Sequence, residues 1–461
     1  MQSKNKKIVA KFGGSSMADA ECMRRSAEVA IKSNANLILV SATLGTTNKL
    51  VALSKSAALG EKASAEQIVT GIIDQHQQLA KDLEVTADCI QQLELCFTEL
   101  KTLTQGMTLL KECGSKTMDS LYSLGERMSS TLFHQALLQL SGGESVSLLD
   151  IREVLKTDNC HLKARPLLDQ IKKNCSEKLF PAFEEGTVFV SQGFIGATME
   201  GATTTLGRGG SDYSAALMAE GIDADSLEIW TDVAGIATTD PRLCQKAVTI
   251  KEISFQEAAQ LATFGAKILH PTTLQPAMRG HIPVFVGSSF DREKGGTKIV
   301  AEIEDAPLIR AMAVRSDQAI LTITTPKMLE AHGFLASIFK VFDDHQISVD
   351  SITTSEISVA ITVHNEVLIK KQFIGQLEEM AQVEIEKGLS LVSLIGNRIN
   401  HTPGLGQKIF NALQEGEQKI NVRMICHGAS KHNFCFLVKS EEAPIAINRL
   451  HSKFIENKES L

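Results

Sequence analysis

Residues 203–215, Thr-Thr-Thr-Leu-Gly-Arg-Gly-Gly-Ser-Asp-Tyr-Ser-Ala, carry the residue types of an anion site. Gly207, Gly209 and Gly210 let a backbone approach a ligand in conformations that a side chain forbids. Ser211 has the chemistry of an N-cap for the helical run that follows, whose first free N–H groups favour negative charge. Arg208 can fork onto a carboxylate, and Asp212 can hold a lysine or a substrate ammonium. By itself the stretch reads first as a glycine turn capping a helix, so further residues must decide. Lys11 ends an apolar run just before Gly13-Gly14, and Lys267 sits in Thr-Phe-Gly-Ala-Lys. A lysine at a strand end beside glycines can serve as a point charge on a phosphate. There is no G-x-x-x-x-G-K-[ST] loop and no G-x-G-x-x-G after the first strand, which disfavours P-loop and dinucleotide folds.

The elements that must position these groups are legible as short apolar runs, each stopping at small polar residues or glycine. They are Ile8–Phe12 before Gly-Gly-Ser-Ser, Leu37–Val40 before Ser-Ala-Thr-Leu-Gly, Val188–Val190 before Ser-Gln-Gly, Leu227–Trp230 before Thr-Asp, and Pro283–Val286 before Gly-Ser-Ser. Helical patterns lie between them, including Phe255–Ala262 behind Ser254, whose spacing to Glu257 is that of a capping box. Apolar strands alternating with helices predict an α/β fold with an open, mostly parallel sheet between helical layers. Ligands of such sheets sit beyond the carboxyl ends of the strands, where all of these polar turns fall. Residues 60–140 read as mostly helical, ended by Gly142-Gly143.

The totals bound the function. A chain of 461 residues with 43% apolar and 22% charged residues has the composition of an ordinary globular protein of several domains. A net charge of −7 gives no footprint for nucleic acid. No apolar run approaches the roughly 18 residues of a membrane span, and the N-terminus lacks a signal-peptide core. Nine scattered cysteines without a Cys-x-x-Cys pair fit free thiols in a reducing cytoplasm. Twelve dispersed histidines show no metal-ligand spacing, so no structural metal is expected.

Beyond the charged, glycine-containing stretch 289–307 the texture changes and an internal repeat appears. Gly333 precedes Ile338-Phe339 by the same intervals as Gly404 precedes Ile409-Phe410. Each helix is followed by a triplet with apolar ends, Ile347-Ser348-Val349 or Ile420-Asn421-Val422, and then by alternating segments at Ile357–Ile361 and Asn433–Leu437. Two copies of a β-α-β-β module fit this pattern, pairing with each other and with a second subunit.

Several motifs taken together resemble aspartate kinases. They are Lys11–Ser16, Ser123–Ser129, Thr204–Asp212, Trp230–Val233, Thr239–Arg242 and Phe264–Pro271, and the resemblance runs from Ile8 to about Phe454. It is nearest to the monofunctional, lysine-sensitive type. It implies an amino-acid-kinase domain over 1–300, a first ACT domain over 318–389 inserted into a second, and the second over 306–317 and 390–461. ATP with Mg²⁺ held mainly through the nucleotide, and L-aspartate as substrate, are implied with it. Carried onto matching positions, Lys11 takes the transferring phosphate, oriented by Asp212, and Arg208 takes the substrate α-carboxylate. Glu126 takes the ammonium, with Ser41, Thr47 and Ser211 placing the substrate. Gly13, Gly14, Ser15, Thr231, Asp232, Asp240, Arg242 and Lys267 line the nucleotide site. Met328, Phe334, Leu335, Ser348, Val349, Asp350, Ser355 and Glu356 match a lysine effector site. Ala234 and Ala237 stand where the related enzyme has proline and tyrosine, and Ala331 where it has serine.

That chemistry is coherent on its own terms. The β-carboxylate of aspartate, with a reference pKa of about 3.9, is ionised at neutral pH and needs no general base. Alignment and cations that offset charge on the γ-phosphoryl group suffice. The alternatives are a kinase acting on glutamate or N-acetylglutamate, with the motif set arguing against both and Glu126 against the second, and an inactive amino-acid-sensing protein, against which intact Lys11, Glu126, Arg208 and Asp212 argue. A cytoplasmic homodimer or tetramer built through the ACT domains is expected.

Overall fold

The computed structural model describes residues 6–142, 145–265, 269, 271–304, 306–329, 332–428 and 430–457. Lys267 and Ala331 lie outside the described residues. The chain forms two compact units: Met1–Ile236, Thr249–Phe255 and Ile268–Ile303 make the first, and Ala237–Val248, Gln256–Lys267 and Glu304–Leu461 the second. Within the run 1–300, residues 237–248 and 256–267 are grouped in the second unit.

The strands up to residue 300 are β1 (Ile8–Phe12), β2 (Leu37–Val40), β3 (Val146–Leu149), β4 (Val188–Gln192), β5 (Ile195–Ala197), β6 (Thr203–Thr205), β7 (Ser226–Thr231), β8 (Glu252–Ser254), β9 (Val284–Ser288) and β10 (Gly296–Val300). The helices are α1 (Ala20–Lys32), α2 (Thr46–Ala58), α3 (Lys62–Asp82), α4 (Ala87–Leu110), α5 (Ser115–Leu140), α6 (Leu168–Lys178), α7 (Phe180–Glu184), α8 (Gly210–Gly221), α9 (Phe255–Thr263) and α10 (Pro271–Arg279). The eight-stranded sheet of the first unit has the order β3-β4-β2-β1-β7-β9-β10-β8, and the five runs read from sequence are all in it. It is parallel from β3 to β9, and β10 pairs antiparallel to β9. β5 and β6 form a separate hairpin.

Burial of successive residues on β1 and β2 requires cover on both faces. Ala10, Phe12, Ile38 and Val40 join one apolar cluster with α1–α5. The alternate residues Val9, Leu37 and Leu39 are equally buried, and α8 packs against β1 and β2 together with α6 and α10. Period-two alternation then puts Lys11 on the side of Val9. Asp19 starts α1 by accepting from the Cys22 N–H at 2.7 Å, a side-chain cap of the usual kind.

In the second unit, β11 (Ile309–Thr324), β12 (Ser351–Thr354), β13 (Ser358–His364), β14 (Gln382–Gly396), β15 (Met424–His427) and β16 (Asn433–Lys439) form one antiparallel six-stranded sheet in the order β12-β13-β11-β14-β16-β15. Helices α11 (Phe334–Asp344), α12 (Lys371–Met380), α13 (Leu405–Leu413) and α14 (Ala443–His451) complete it. The repeat has a backbone cause. Gly333 and Gly404 are the N-caps of α11 and α13, with φ of +84° and +76°, a left-handed conformation that glycine adopts without strain. Ile338 and Ile409, five residues on, are both fully buried.

Candidate functional site

The carboxyl ends of β1, β2 and β4 open into a cleft of about 590 Å³ lined by Lys11, Gly14, Ser41, Thr47, Glu126, Arg208, Ser211 and Asp212 among others. Every catalytic and substrate-binding candidate read from sequence is in that lining. Loop exits are pinned by the strands: Ser41 N–H donates to Phe12 O at 3.0 Å, Gly13 N–H to Trp230 O at 3.1 Å, and Gly193 N–H to Val40 O at 2.9 Å. A Cβ on Gly125 of α5 would come within 2.9 Å of Ala42 Cβ, so glycine there lets the helix carrying Glu126 press against the loop after β2.

Lys11 Nζ stands 2.5 Å from Asp212 Oδ1, with both side chains largely buried. Glu126 is buried, which pushes its carboxyl up to about 8; backbone N–H groups at Ala42 and Glu126 and the charge of Lys11 act the other way. Arg208 is exposed where it lines the cleft and makes no side-chain ion pair among the described residues. The site thus offers a buried cation, a buried acid and a free guanidinium.

The N-cap expected at Ser211 is corrected. The helix starts at Gly210, capped by Gly209 with φ +72° and without a side-chain bond. Glycine's left-handed turn brings the chain into the helix two residues early, and Ser211 falls in its first turn. A Cβ on Gly210 would lie 2.6 Å from Phe194 Cδ2, so this glycine is also required by packing.

The nucleotide candidates are distributed differently. Gly13, Gly14 and Ser15 follow β1, while Thr231 and Asp232 end the adjacent strand β7, with Thr231 Oγ1 donating to Asp232 at 3.0 Å. Asp240 and Arg242 lie in the second unit, where Arg242 chelates Asp240 through Nη2 at 2.6 Å and Nε at 3.0 Å. Ala234 belongs to the first unit and Ala237 to the second.

Among the effector candidates, Met328, Phe334 and Val349 pack on the apolar cluster of α11, β11 and β13, and Leu335 and Ser348 are exposed. Asp350 accepts from Arg315 Nη1 at 2.5 Å, Ser355 Oγ bonds Ser358 Oγ at 2.7 Å, and Glu356 is exposed.

Sequence reading missed several lining or supporting groups. Leu162 and Phe194 line the cleft with φ of +70° each, uncommon for bulky residues and without a local sequence signal. Asp119 of α5 is fully buried beneath Thr205 and Leu162. His76, kept neutral by burial with its pKa lowered to about 4, accepts from Thr43 at 3.1 Å behind the loop that follows β2. In the second unit Cys244, His451 and Glu456 bring one ligand-type atom each within 4.8 Å of one another. His451 bonds Thr238 at 2.9 Å, and Glu456 pairs with Lys246 at 2.7 Å, so these polar groups satisfy one another.

Comparison with known proteins gives this geometry a lineage. The amino acid kinase family matches residues 6–288, and an ACT domain matches 392–454. The lysine-sensitive aspartokinase 3 of Escherichia coli is 41% identical over 97% of this chain and 99% of its own. The crystal structure of E. coli aspartokinase III with aspartate and ADP superposes with a TM-score of 0.84 at 40% identity, covering 97% of this chain and 99% of that one. The structure of the same enzyme with lysine and aspartate gives a TM-score of 0.85 at 41% identity, with the same coverage. Similarity of that extent, over both the kinase and the ACT portions, places this chain in the aspartokinase family.

Proposed function

We propose that this aspartokinase transfers the γ-phosphoryl group of ATP to the β-carboxylate of L-aspartate, giving 4-phospho-L-aspartate and ADP, and that L-lysine inhibits it. The observation that carries the reading is the cleft in which Lys11, Glu126, Arg208 and Asp212 meet. An aspartate has two carboxylates and one ammonium, and the site presents a guanidinium, an ammonium and a buried acid. Arg208 holds the α-carboxylate, Glu126 the ammonium, and Ser41, Thr47 and Ser211 the remaining polar atoms.

A β-carboxylate oxygen attacks the γ-phosphorus, and the bond to the β,γ-bridging oxygen breaks with its electron pair leaving on ADP. Lys11, fixed by Asp212, offsets charge on the equatorial oxygens. Gly13, Gly14 and Ser15 with Thr231 and Asp232 hold the nucleotide from the ends of β1 and β7. Mg²⁺ bound with the nucleotide would supply charge neutralisation, held mainly through ATP.

The regulatory half comprises a first ACT domain, 318–389, inserted into a second formed by 306–317 and 390–461. One apolar core over Ala319–Val383 and another joining Ile309–Val314 to Val392–Ile455, with Cys244, support this division, while a third cluster joins Ile320 and Leu389 to Met424 and Leu437. Lysine binds at Met328, Phe334, Leu335, Ser348, Val349, Asp350, Ser355 and Glu356, its ε-ammonium directed to Asp350. Exposed Leu335, Phe339, Ile352, Ile357 and Ile425 support a homodimer through this half. Among the described residues no helix is long and apolar enough to cross a membrane, which supports a cytoplasmic enzyme.

Hydroxylamine trapping with Mg-ATP and L-aspartate, with and without L-lysine, tests the whole reading. Hydroxamate that lysine suppresses is the expected result. Product indifferent to lysine removes the effector, and product formed only from another amino acid removes the substrate.

A further inference from the structure

Asp119 sits on the α5 face that also carries Glu126 two turns later, and it is fully buried. Its carboxylate accepts from donors on the loop 161–162 and on strand β6. His161 Nδ1 donates to Oδ2 at 2.7 Å, Leu162 N–H lies 3.1 and 3.2 Å from the two oxygens, and Thr205 Oγ1 donates to Oδ1 at 2.6 Å. Leu162 and Thr205 both line the cleft. Leu162 holds a left-handed φ of +70°, a conformation that persists only when its surroundings over-determine it. Its carbonyl oxygen would be 3.1 Å from a Cβ on Gly207, the first glycine of the loop that carries Arg208.

We propose that Asp119 is a positioning residue for the phosphoryl-acceptor half of the cleft. By fixing Leu162 and Thr205, its carboxylate sets the path of the loop Gly207–Gly210 and so the place of Arg208 relative to Glu126. The inference rests on the reading of this cleft as the aspartate site. All the groups facing Asp119 are donors, so only an acceptor with both oxygens free satisfies them. An amide at this position offers one acceptor and turns an N–H₂ against the other donors.

The test is steady-state kinetics of the full-length enzyme with Asp119→Asn, Thr205→Val and the double variant, following hydroxamate from L-aspartate. Asp119→Asn is expected to raise the aspartate KM about tenfold or more, the scale of a lost hydrogen bond to a charged group, with the ATP KM within about twofold. Thr205→Val is expected to move the same KM in the same direction. The double variant is expected to be no worse than Asp119→Asn, because both changes break one bond. A loss confined to kcat with the aspartate KM unchanged, or additive effects in the double variant, overturns the proposal. Should Asp119→Asn fail to fold, Thr205→Val and His161→Phe carry the test, and an unchanged aspartate KM in both overturns it. Absence of hydroxamate from the unsubstituted enzyme instead overturns the substrate reading, so the two failures are distinct.

Discussion

Lys11 Nζ and Asp212 Oδ1 are 2.5 Å apart, one at the end of the central strand and the other in the first turn of the helix packed on that strand's face. The pair fixes an otherwise mobile ammonium; on the proposed reaction that is where charge develops during transfer, which would be electrostatic preorganisation. Lys11→Met should lower kcat by roughly 10²–10³-fold, the usual cost of removing one such group, with a smaller change in the aspartate KM. Asp212→Asn should lower kcat as well, because the ammonium loses its tether. A kcat within about twofold of normal in Lys11→Met would remove Lys11 from the reaction.

With Glu126 receiving the aspartate ammonium as proposed, aspartate binding should depend on pH. Burial raises its carboxyl to about 8, so in the free enzyme at neutral pH it is mostly protonated. An incoming ammonium favours the carboxylate and expels that proton. The aspartate KM should therefore fall as pH rises from 6 towards 8, and binding near neutrality should release close to one proton. Calorimetry in two buffers of different ionisation enthalpy measures this; no proton uptake by the buffer, or the same uptake in Glu126→Gln, contradicts it. Stability runs the other way. The folded state binds this proton more tightly than the unfolded chain, so its contribution is complete at pH below the ordinary carboxylate value and is lost as pH rises towards about 8.

Arg208 differs from these groups in being exposed and free of an ion-pair partner among the described residues. Its loss leaves no buried charge behind, so Arg208→Ala should fold normally. The aspartate KM should rise by about 10–100-fold, the range for a forked, charge-assisted contact. Lysine should restore less than alanine, because an ammonium cannot fork. An unchanged aspartate KM would mean that the α-carboxylate lies elsewhere.

What could be read from the sequence follows from how local each signal is. The glycine loop, the strand-end lysine and the buried acid sit in contiguous motifs, and the parallel order of apolar strands brings their carboxyl ends to one edge. The repeated glycines at 333 and 404 announced their helices because a left-handed N-cap needs glycine at each. Ser211 misled because a serine before an apolar run resembles a cap, while Gly209 could start the helix earlier. Asp119 and the left-handed Leu162 were invisible because their partners are 43 residues apart in the chain and meet only through the fold. The inclusion of 237–248 in the second unit depends on long-range bonds such as Met312 N–H to Thr238 O at 2.7 Å, which no periodicity reveals.

The effector reading turns on Asp350, whose carboxylate is held by Arg315 at 2.5 Å. A lysine ε-ammonium offers the same charge to the same acceptor, so it must compete with the guanidinium or share the carboxylate with it. Asp350→Ala removes the acceptor while leaving the first unit untouched. Uninhibited turnover should stay within about twofold, and the lysine concentration for half-inhibition should rise by about 5–150-fold, the span of ordinary coupling energies. A surface ion pair of this kind contributes little stability, so the melting temperature should hardly move. Inhibition persisting at the original lysine concentration would place the ammonium on a different acid, with exposed Glu356 the next to replace.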